Sequence, residues 1–232
     1  NIVDEMNISR VDQDTFALNS HLKALQAQRN GAFDAEIVPI SSPQRRKDPI
    51  LFVKDEGPRA GSTLEKLSKL RAAFKDDGSV TAGNSSTLND GASAIIVCTR
   101  QAALDHGLTP MAKILSSGSA GVDPTTMGFG PVPSTEKALH RAGMTVEDLD
   151  LVELNEAFAA QSLGVIRKLG LPEEVVNVHG GAIALGHPLG CSGTRILTTL
   201  LHAMQRHDKN VGLATLCVGV GQGLSLIVER ES

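Results

Sequence analysis

The spacing of apolar and polar positions changes several times along the chain, and each change predicts an element. Ser9 followed three residues later by Asp12 is a variant of the capping box, ahead of Leu18, Leu22 and Leu25 at helical spacing. Gly31 is placed to end that helix in a left-handed turn. A strand-like run follows at Glu36 to Ile40. From Ser41 to Gly78 periodicity gives way to Pro, Gly and charge, with one helix predicted over Thr63 to Phe74.

Beyond Gly78 strand and helix alternate. Ala94 to Thr99 is a short apolar run of β character, and Met111 to Ser116 reads as a second strand. Ser134 caps a helix that Gly143 ends. Leu149 to Leu154 is a strand, and Glu156 to Leu169 is the helix after it, closed by Gly170. Val175 to Val178 is a further strand, and Pro188 opens a helix to about His207. Gly212 to Cys217 and Leu224 to Glu229 are close enough to pair antiparallel across a glycine-rich turn. This alternation predicts a layered α/β fold with a mixed sheet.

Composition narrows the function. With 232 residues and 41% apolar content the chain can bury a substantial core in one or two domains. Twenty-three glycines and no Trp or Tyr suit close backbone packing. They argue against a carbohydrate or single-stranded nucleic-acid binder, which would use stacking rings. A net charge of -4 also argues against a nucleic-acid partner. No run is long enough to cross a membrane and no signal-peptide pattern is present, so a cytoplasmic chain is expected. Cys98, Cys191 and Cys217 are odd in number and widely spaced, with no CxxC pair. Free thiols are expected rather than zinc ligands or a disulfide framework. The opening Ile2-Val3-Asp4-Glu5-Met6 reads as the tail of an element that begins upstream.

Charge is unevenly spread. Between Arg45 and Lys75 nine basic residues face four acidic ones, a local balance of +5 in a chain of net -4. Such a run is either a solvated surface or a landing site for a polyanion such as a nucleotide phosphate.

Three clusters carry candidate chemistry. Asn155-Glu156-Ala157-Phe158 lies where a strand meets a helix, the place where α/β proteins hold ligands. An Asn there either caps the helix or donates to an oxyanion or a water. Gly180-Gly181-Ala182-Ile183-Ala184-Leu185-Gly186-His187-Pro188-Leu189-Gly190-Cys191-Ser192-Gly193 sets His187 just before a predicted helix start. The helix N-terminus would disfavour its protonated form. Cys217-Val218-Gly219-Val220-Gly221-Gln222-Gly223 places a cysteine at a strand end before a turn whose glycine amides are able to form an oxyanion hole. The plainer alternative there is a buried apolar cysteine.

Taken together and in this order, the three clusters resemble the C-terminal signature set of the thiolase family. TAGNSSTLNDGA (Thr81 to Ala92) and MGFGPVPSTEKAL (Met127 to Leu139) resemble thiolase segments as well. The resemblance spans essentially the whole chain and is closest to degradative 3-ketoacyl-CoA thiolases of bacterial type.

The resemblance implies cleavage or formation of a carbon–carbon bond, with coenzyme A as substrate and no permanently bound cofactor or metal. It implies that His187 activates a nucleophilic cysteine and helps bind the thioester oxygen. Asn155 would position a water in the same oxyanion hole, Cys217 would exchange a proton, and the Gly219 amide would serve a second oxyanion hole. By the same resemblance Arg59 lies near the nucleotide of CoA, and Ser86 near the pantetheine with Phe74 and Ala82. Met127 and Phe158 would line the acyl end, and Ala157 would be a further CoA-binding residue. This selects the ligand-binding reading of the basic stretch.

Two features depart from the family pattern. Thiolases carry their nucleophile as a cysteine followed by Gly-Ser-Gly in an N-terminal segment, and none of the three cysteines here has that context. Cys98 and Cys191 are expected to be structural. His179 stands where Asn is more usual. The implied fold is therefore an incomplete thiolase fold: a CoA-covering loop domain over residues 1–88, a strand and helix over 89–109 that return to an N-terminal domain, and a C-terminal domain over 110–232. The middle piece should expose apolar surface unless the N-terminal thiolase segment accompanies it. Homodimers or homotetramers are expected by analogy. Two other readings are a non-catalytic CoA-binding or subunit-assembly fragment, and a decarboxylating condensing enzyme, which would not carry the Cys217 turn.

Overall fold

The computed structural model describes residues 1–231. A short helix α1 (Ile2–Met6) leads into α2 (Arg10–Arg29) through a complete capping box. The Asp12 amide donates to Ser9 Oγ at 3.0 Å and the Ser9 amide to the Asp12 carboxylate at 3.2 Å. The face of α2 that is buried is not the leucine face. Ala17, Ser20, Ala24 and Ala27 are buried, whereas Leu22 is 51% exposed. Small side chains let this helix approach its neighbours closely, which the leucine spacing concealed. Asn30 is the C-cap residue of the helix, and Gly31 takes the left-handed conformation just after it.

The predicted strand at Glu36 to Ile40 is a turn that hands over to a hairpin, β1 (Ile40–Gln44) and β2 (Lys47–Phe52), with Arg46 at φ 60 in its turn. The helix predicted over Thr63 to Phe74 is one short piece, α3 (Leu64–Ser68), capped by the Thr63 hydroxyl. The predicted strand Ala94 to Thr99 is not in a sheet. A strand needs a neighbour for its amides, and among the described residues this run has no ladder partner. Ile96 and Val97 are 82% and 72% exposed. Helix α4 (Arg100–Asp105) follows.

The rest is one layered unit. β3 (Ala112–Gly121), β4 (Leu151–Leu154), β5 (Val211–Val218) and β6 (Gln222–Arg230) form a mixed sheet in the order β3-β6-β5-β4. β5 and β6 pair antiparallel as the turn predicts, β3 and β6 also pair antiparallel, and β4 runs parallel to β5. Helix α5 (Pro131–Ala142) starts three residues before the predicted cap Ser134, because Pro131 supplies a pre-set φ at its first position. Gly143 and Gly170 end α5 and α6 (Ala159–Leu169), each at φ 67. The run Val175 to Val178 contributes only a single parallel bridge, Val152 to Val176.

One sheet face packs Val152, Leu154, Leu213 and Ile227 against α5 and α6. The other packs Leu151, Ala214 and Val228 against α8 (Ser192–Arg206). Ile196, Leu200, Ala203 and Met204 fall at i, i+4, i+7 and i+8 of α8 and are each 1% exposed. Burying each large side chain of that stripe is worth about 1.5–3 kcal/mol. A four-residue helix α7 (Ala182–Leu185) packs across α2. The C-terminal ends of parallel β4 and β5 therefore open beside α2, α7 and the loop that follows α7.

Candidate active site

Asn155 is the first residue after β4. Its amide donates to Thr215 O at 3.0 Å, continuing the parallel ladder by one step. Helix α6 begins only at Ala159, with Phe158 as its cap residue, so Asn155 caps nothing. Its side chain is fully buried, and its Nδ2 faces His187 Nε2 at 3.4 Å. The other amide atom, Oδ1, is buried without a partner among the described residues. An unmet buried acceptor costs about 1–3 kcal/mol, so this oxygen is an open position for a donor from water or a ligand.

His187 lies in the loop between α7 and α8. Its amide donates to Thr87 O at 3.1 Å, and its Nδ1 is 2.6 Å from Ser192 Oγ. The Ser192 hydroxyl donates in turn to Pro188 O at 3.0 Å. A hydroxyl has one hydrogen and a carbonyl can only accept, so Ser192 Oγ accepts from Nδ1–H. That leaves the lone pair on Nε2, directed toward Asn155. Burial, followed by the nearby Arg195 charge, lowers the His187 pKa below the ordinary imidazole value. The neutral ring was expected from a helix starting at Pro188. The helix starts at Ser192 instead, and desolvation supplies the effect.

Cys217 sits on β5 and pairs with Gly223 of β6. Leu154, the last residue of β4, lies opposite Thr215, so Cys217 comes just past the end of β4, level with the turn that begins at Asn155. Its thiol is buried, and burial pushes its pKa up to about 11. It therefore rests as a thiol, with its proton in place, and is poor as a nucleophile in that form. Gly219 is exposed in the following turn, and its carbonyl accepts from Gln222 Nε2 at 3.4 Å. This turn passes through positive φ at Val220 (60°) and Gly221 (85°). A β-branched residue there costs on the order of 1–3 kcal/mol. The loop that carries Met127 backs the turn: the Val122 amide donates to Gly221 O at 2.7 Å, and a side chain added at Gly223 would lie 1.9 Å from Gly130 O. Met127 itself is half-buried.

The segment before Leu88 knits these pieces together. The Ala159 amide donates to Asn84 O at 2.9 Å and the Ser86 amide to Ala157 O at 3.0 Å, while Thr87 O holds His187. Ser86 Oγ also donates to Ala157 O at 3.1 Å. Asn84 is anchored to α2 through a 2.9 Å bond to Asp14. Ser86, Ala157, Phe158 and His187 are thus gathered by one short run of backbone. Phe74 is 75% exposed and meets Phe158 edge-on at 6.1 Å. Ala82 and Arg59 are exposed, and the Arg59 amide donates to His21 Nδ1 at 3.3 Å.

Cys98 is exposed and Cys191 buried at the start of α8. His179 does not bond His187. Its Nε2 lies 3.0 Å from His207 Nε2, and Phe33 packs edge-on to its ring at 5.9 Å. Burial pushes the His179 pKa down to about 4. Ser192 and Thr87 were not foreseen as site residues. A serine one helical turn after Pro188 was the available signal for the first, while the second acts through its backbone and leaves none.

Two family models match the chain: the thiolase N-terminal domain over residues 1–101 and the thiolase C-terminal domain over residues 108–230. The chain belongs to the thiolase family. Over 230 residues it is 56% identical to an acetyl-CoA acetyltransferase of Escherichia coli, covering 99% of this chain and 58% of that protein. It is 54% identical over 230 residues to a probable acetyl-CoA acyltransferase of Staphylococcus aureus, again covering 99% of this chain and 58% of the relative. The crystal structure of the Bacillus anthracis acetyl-CoA acetyltransferase superimposes with a TM-score of 0.97 at 48% identity, covering all of this chain and 58% of that one. Human mitochondrial 3-ketoacyl-CoA thiolase in complex with CoA superimposes with a TM-score of 0.95 at 43% identity, over 100% of this chain and 57% of that one. The chain thus spans somewhat over half the length of the relatives it matches.

Proposed function

We propose that this chain carries the histidine–cysteine half of a thiolase site that cleaves 3-ketoacyl-CoA to acetyl-CoA and a shortened acyl-CoA, or runs the reverse Claisen condensation. The observation that supports this most is the neutral His187 imidazole facing Asn155 at 3.4 Å beside the strand end that bears Cys217.

In this reading the nucleophile is a cysteine of an N-terminal thiolase segment outside these 232 residues. His187 Nε2 takes its proton, and the thiolate attacks the keto carbon of the substrate. The bond between that carbon and the α-carbon breaks, and its electron pair takes the proton of Cys217 as acetyl-CoA leaves. The acyl group remains on the nucleophile as a thioester. A second CoA thiol gives its proton to the Cys217 thiolate and attacks that thioester; the nucleophile leaves as a thiolate and takes back the proton held on His187, so acyl-CoA is released and Cys217 is restored as a thiol. Asn155, through a water, and His187 stabilise the thioester oxygen, while the Gly219 amide serves the other oxyanion.

CoA lies along the basic cover region, with Arg59 at the nucleotide end and Ser86, Phe74 and Ala82 near the pantetheine. Met127 and Phe158 border the acyl end, with Ala157 a further CoA-binding residue. Residues 1–88 act as the CoA-covering domain, 89–109 pack on the N-terminal domain, and 110–232 form the C-terminal domain. Ile96 and Val97, exposed at 82% and 72%, fit a segment that pairs with further thiolase sequence. The assembled enzyme is a homodimer or homotetramer.

The test is reconstitution. The chain is mixed with, or fused to, the nucleophile-bearing thiolase segment and assayed with 3-ketoacyl-CoA and CoA. Thiolysis only in the reconstituted sample is expected. Binding of CoA without turnover, even after reconstitution, would favour a non-catalytic role.

A further inference from the structure

Glu156 follows Asn155 directly, yet nothing in the proposed chemistry uses it. Its carboxylate is 1% exposed and is met by three donors from three different parts of the chain. Ser20 Oγ of α2 donates to Oε2 at 2.7 Å, and the Ile183 amide in α7 donates to the same oxygen at 3.1 Å. Asn177 Nδ2 donates to Oε1 at 2.8 Å. The Gly181 amide donates to Ser20 Oγ at 3.0 Å, which commits the serine hydrogen to Glu156. Gly181 has no room for a side chain: a Cβ there would lie 2.3 Å from the carboxyl carbon of Glu156.

We propose that Glu156 is a positioning residue that clamps the α7 segment against the end of β4 and so fixes His187 opposite Asn155. The inference rests on the site reading above. Ile183 and His187 are four residues apart, joined by α7 and Gly186, so the Glu156 bond to Ile183 sets where the imidazole stands. Asn155 and Glu156 are adjacent, so one anchored carboxylate governs both sides of the contact.

The site demands an acceptor-only group. Glutamine has nearly the same shape but must turn its NH2 toward one side. Toward Oε2 it meets the Ile183 amide, a backbone donor that cannot reverse. Toward Oε1 it meets Asn177 Nδ2. Asn177 cannot flip, because its Oδ1 accepts from the Leu154 amide at 2.8 Å and its Nδ2 also donates to Leu154 O at 2.8 Å. Either orientation puts donor against donor.

The experiment compares the wild-type chain with Glu156→Gln and Ser20→Ala, using histidine-labelled NMR titration of His187 and hydrogen exchange of the Ile183 amide. Neither readout depends on turnover, so failure of the thiolase reading does not decide it. In a Glu156→Gln variant with wild-type circular dichroism, Ile183 should exchange about ten- to a hundredfold faster, the effect of leaving a buried donor without its acceptor. The His187 midpoint should move up toward the ordinary value of about 6.5 as its enclosure loosens. Unchanged exchange and an unchanged His187 midpoint would reduce Glu156 to core filling and overturn the proposal. If Glu156→Gln does not fold, Ser20→Ala decides: it should shift both readouts in the same directions by a smaller amount, and a folded Ser20→Ala chain with neither shift overturns it.

Discussion

His187 Nδ1 stands 2.6 Å from the Ser192 hydroxyl, which is itself committed to Pro188 O at 3.0 Å. One side chain thereby fixes which nitrogen of the imidazole is free. Removing it by Ser192→Ala should leave the helix stripe of α8 intact but let both tautomers form. In the reconstituted enzyme kcat should fall about tenfold with KM little changed, a small part of the range spanned by positioned acid–base catalysis. Nitrogen-15 NMR of the labelled ring should show mixed tautomers in the variant and one in the wild type.

Cys217 and Cys98 should differ sharply in reactivity. Cys98 is exposed, whereas Cys217 is buried with a pKa near 11. Alkylation with iodoacetamide at pH 8, followed by mass spectrometry, should label Cys98 first and Cys217 last. Fast labelling of Cys217 in the folded chain would mean that it rests as a thiolate, which the proposed proton-donor role does not allow.

His179 should give the protein an acid-side weakness. Its folded pKa is near 4 against an ordinary value near 6.5, so between those pH values the unfolded chain binds a proton that the folded chain refuses. Stability therefore falls as pH is lowered through that window and levels off below it. Glu36 and Glu153 work in the opposite sense. Burial raises them to about 7 and about 8, so the folded chain holds the extra protons and loses stability as pH rises toward those values. His179→Asn isolates the histidine: the difference in unfolding free energy between wild type and variant should change by up to about 3 kcal/mol between pH 7 and pH 4, measured by urea titration. A difference that does not vary with pH would contradict the assignment.

Gly223→Ala tests the close contact that supports the turn after Cys217. The added methyl would press on backbone, lying 1.9 Å from Gly130 O, so nothing flexible can yield. A loss of about 1–3 kcal/mol is expected in urea unfolding, the ordinary cost of overpacking.

Sequence patterning reveals those parts of the fold where one local signal decides. Gly143 and Gly170 end helices because only a residue tolerant of φ 67 fits there, and the Cys217 turn joins two strands that can pair only antiparallel. It misleads where a distant partner decides. The leucines of α2 follow helical spacing but are not its buried face, since Ala17 and Ala24 are what α7 and the core can approach. Ala94 to Thr99 has strand composition but no ladder partner among the described residues. In the site, the motifs mark His187, Asn155 and Cys217, whereas the group that sets the histidine tautomer, Ser192, is found only once the loop is folded back on the helix start.

The central claim is that His187 and Cys217 work at one site, and a double-mutant cycle tests it most directly. Thiolysis is measured in the reconstituted enzyme for His187→Ala, Cys217→Ala and both together. Each single change should cost about 10²–10⁴-fold in kcat, and the double variant should fall scarcely below the worse single one, as for groups that act as a unit. Losses that multiply, or a Cys217→Ala enzyme with full activity, would place the two residues in separate roles and contradict the account.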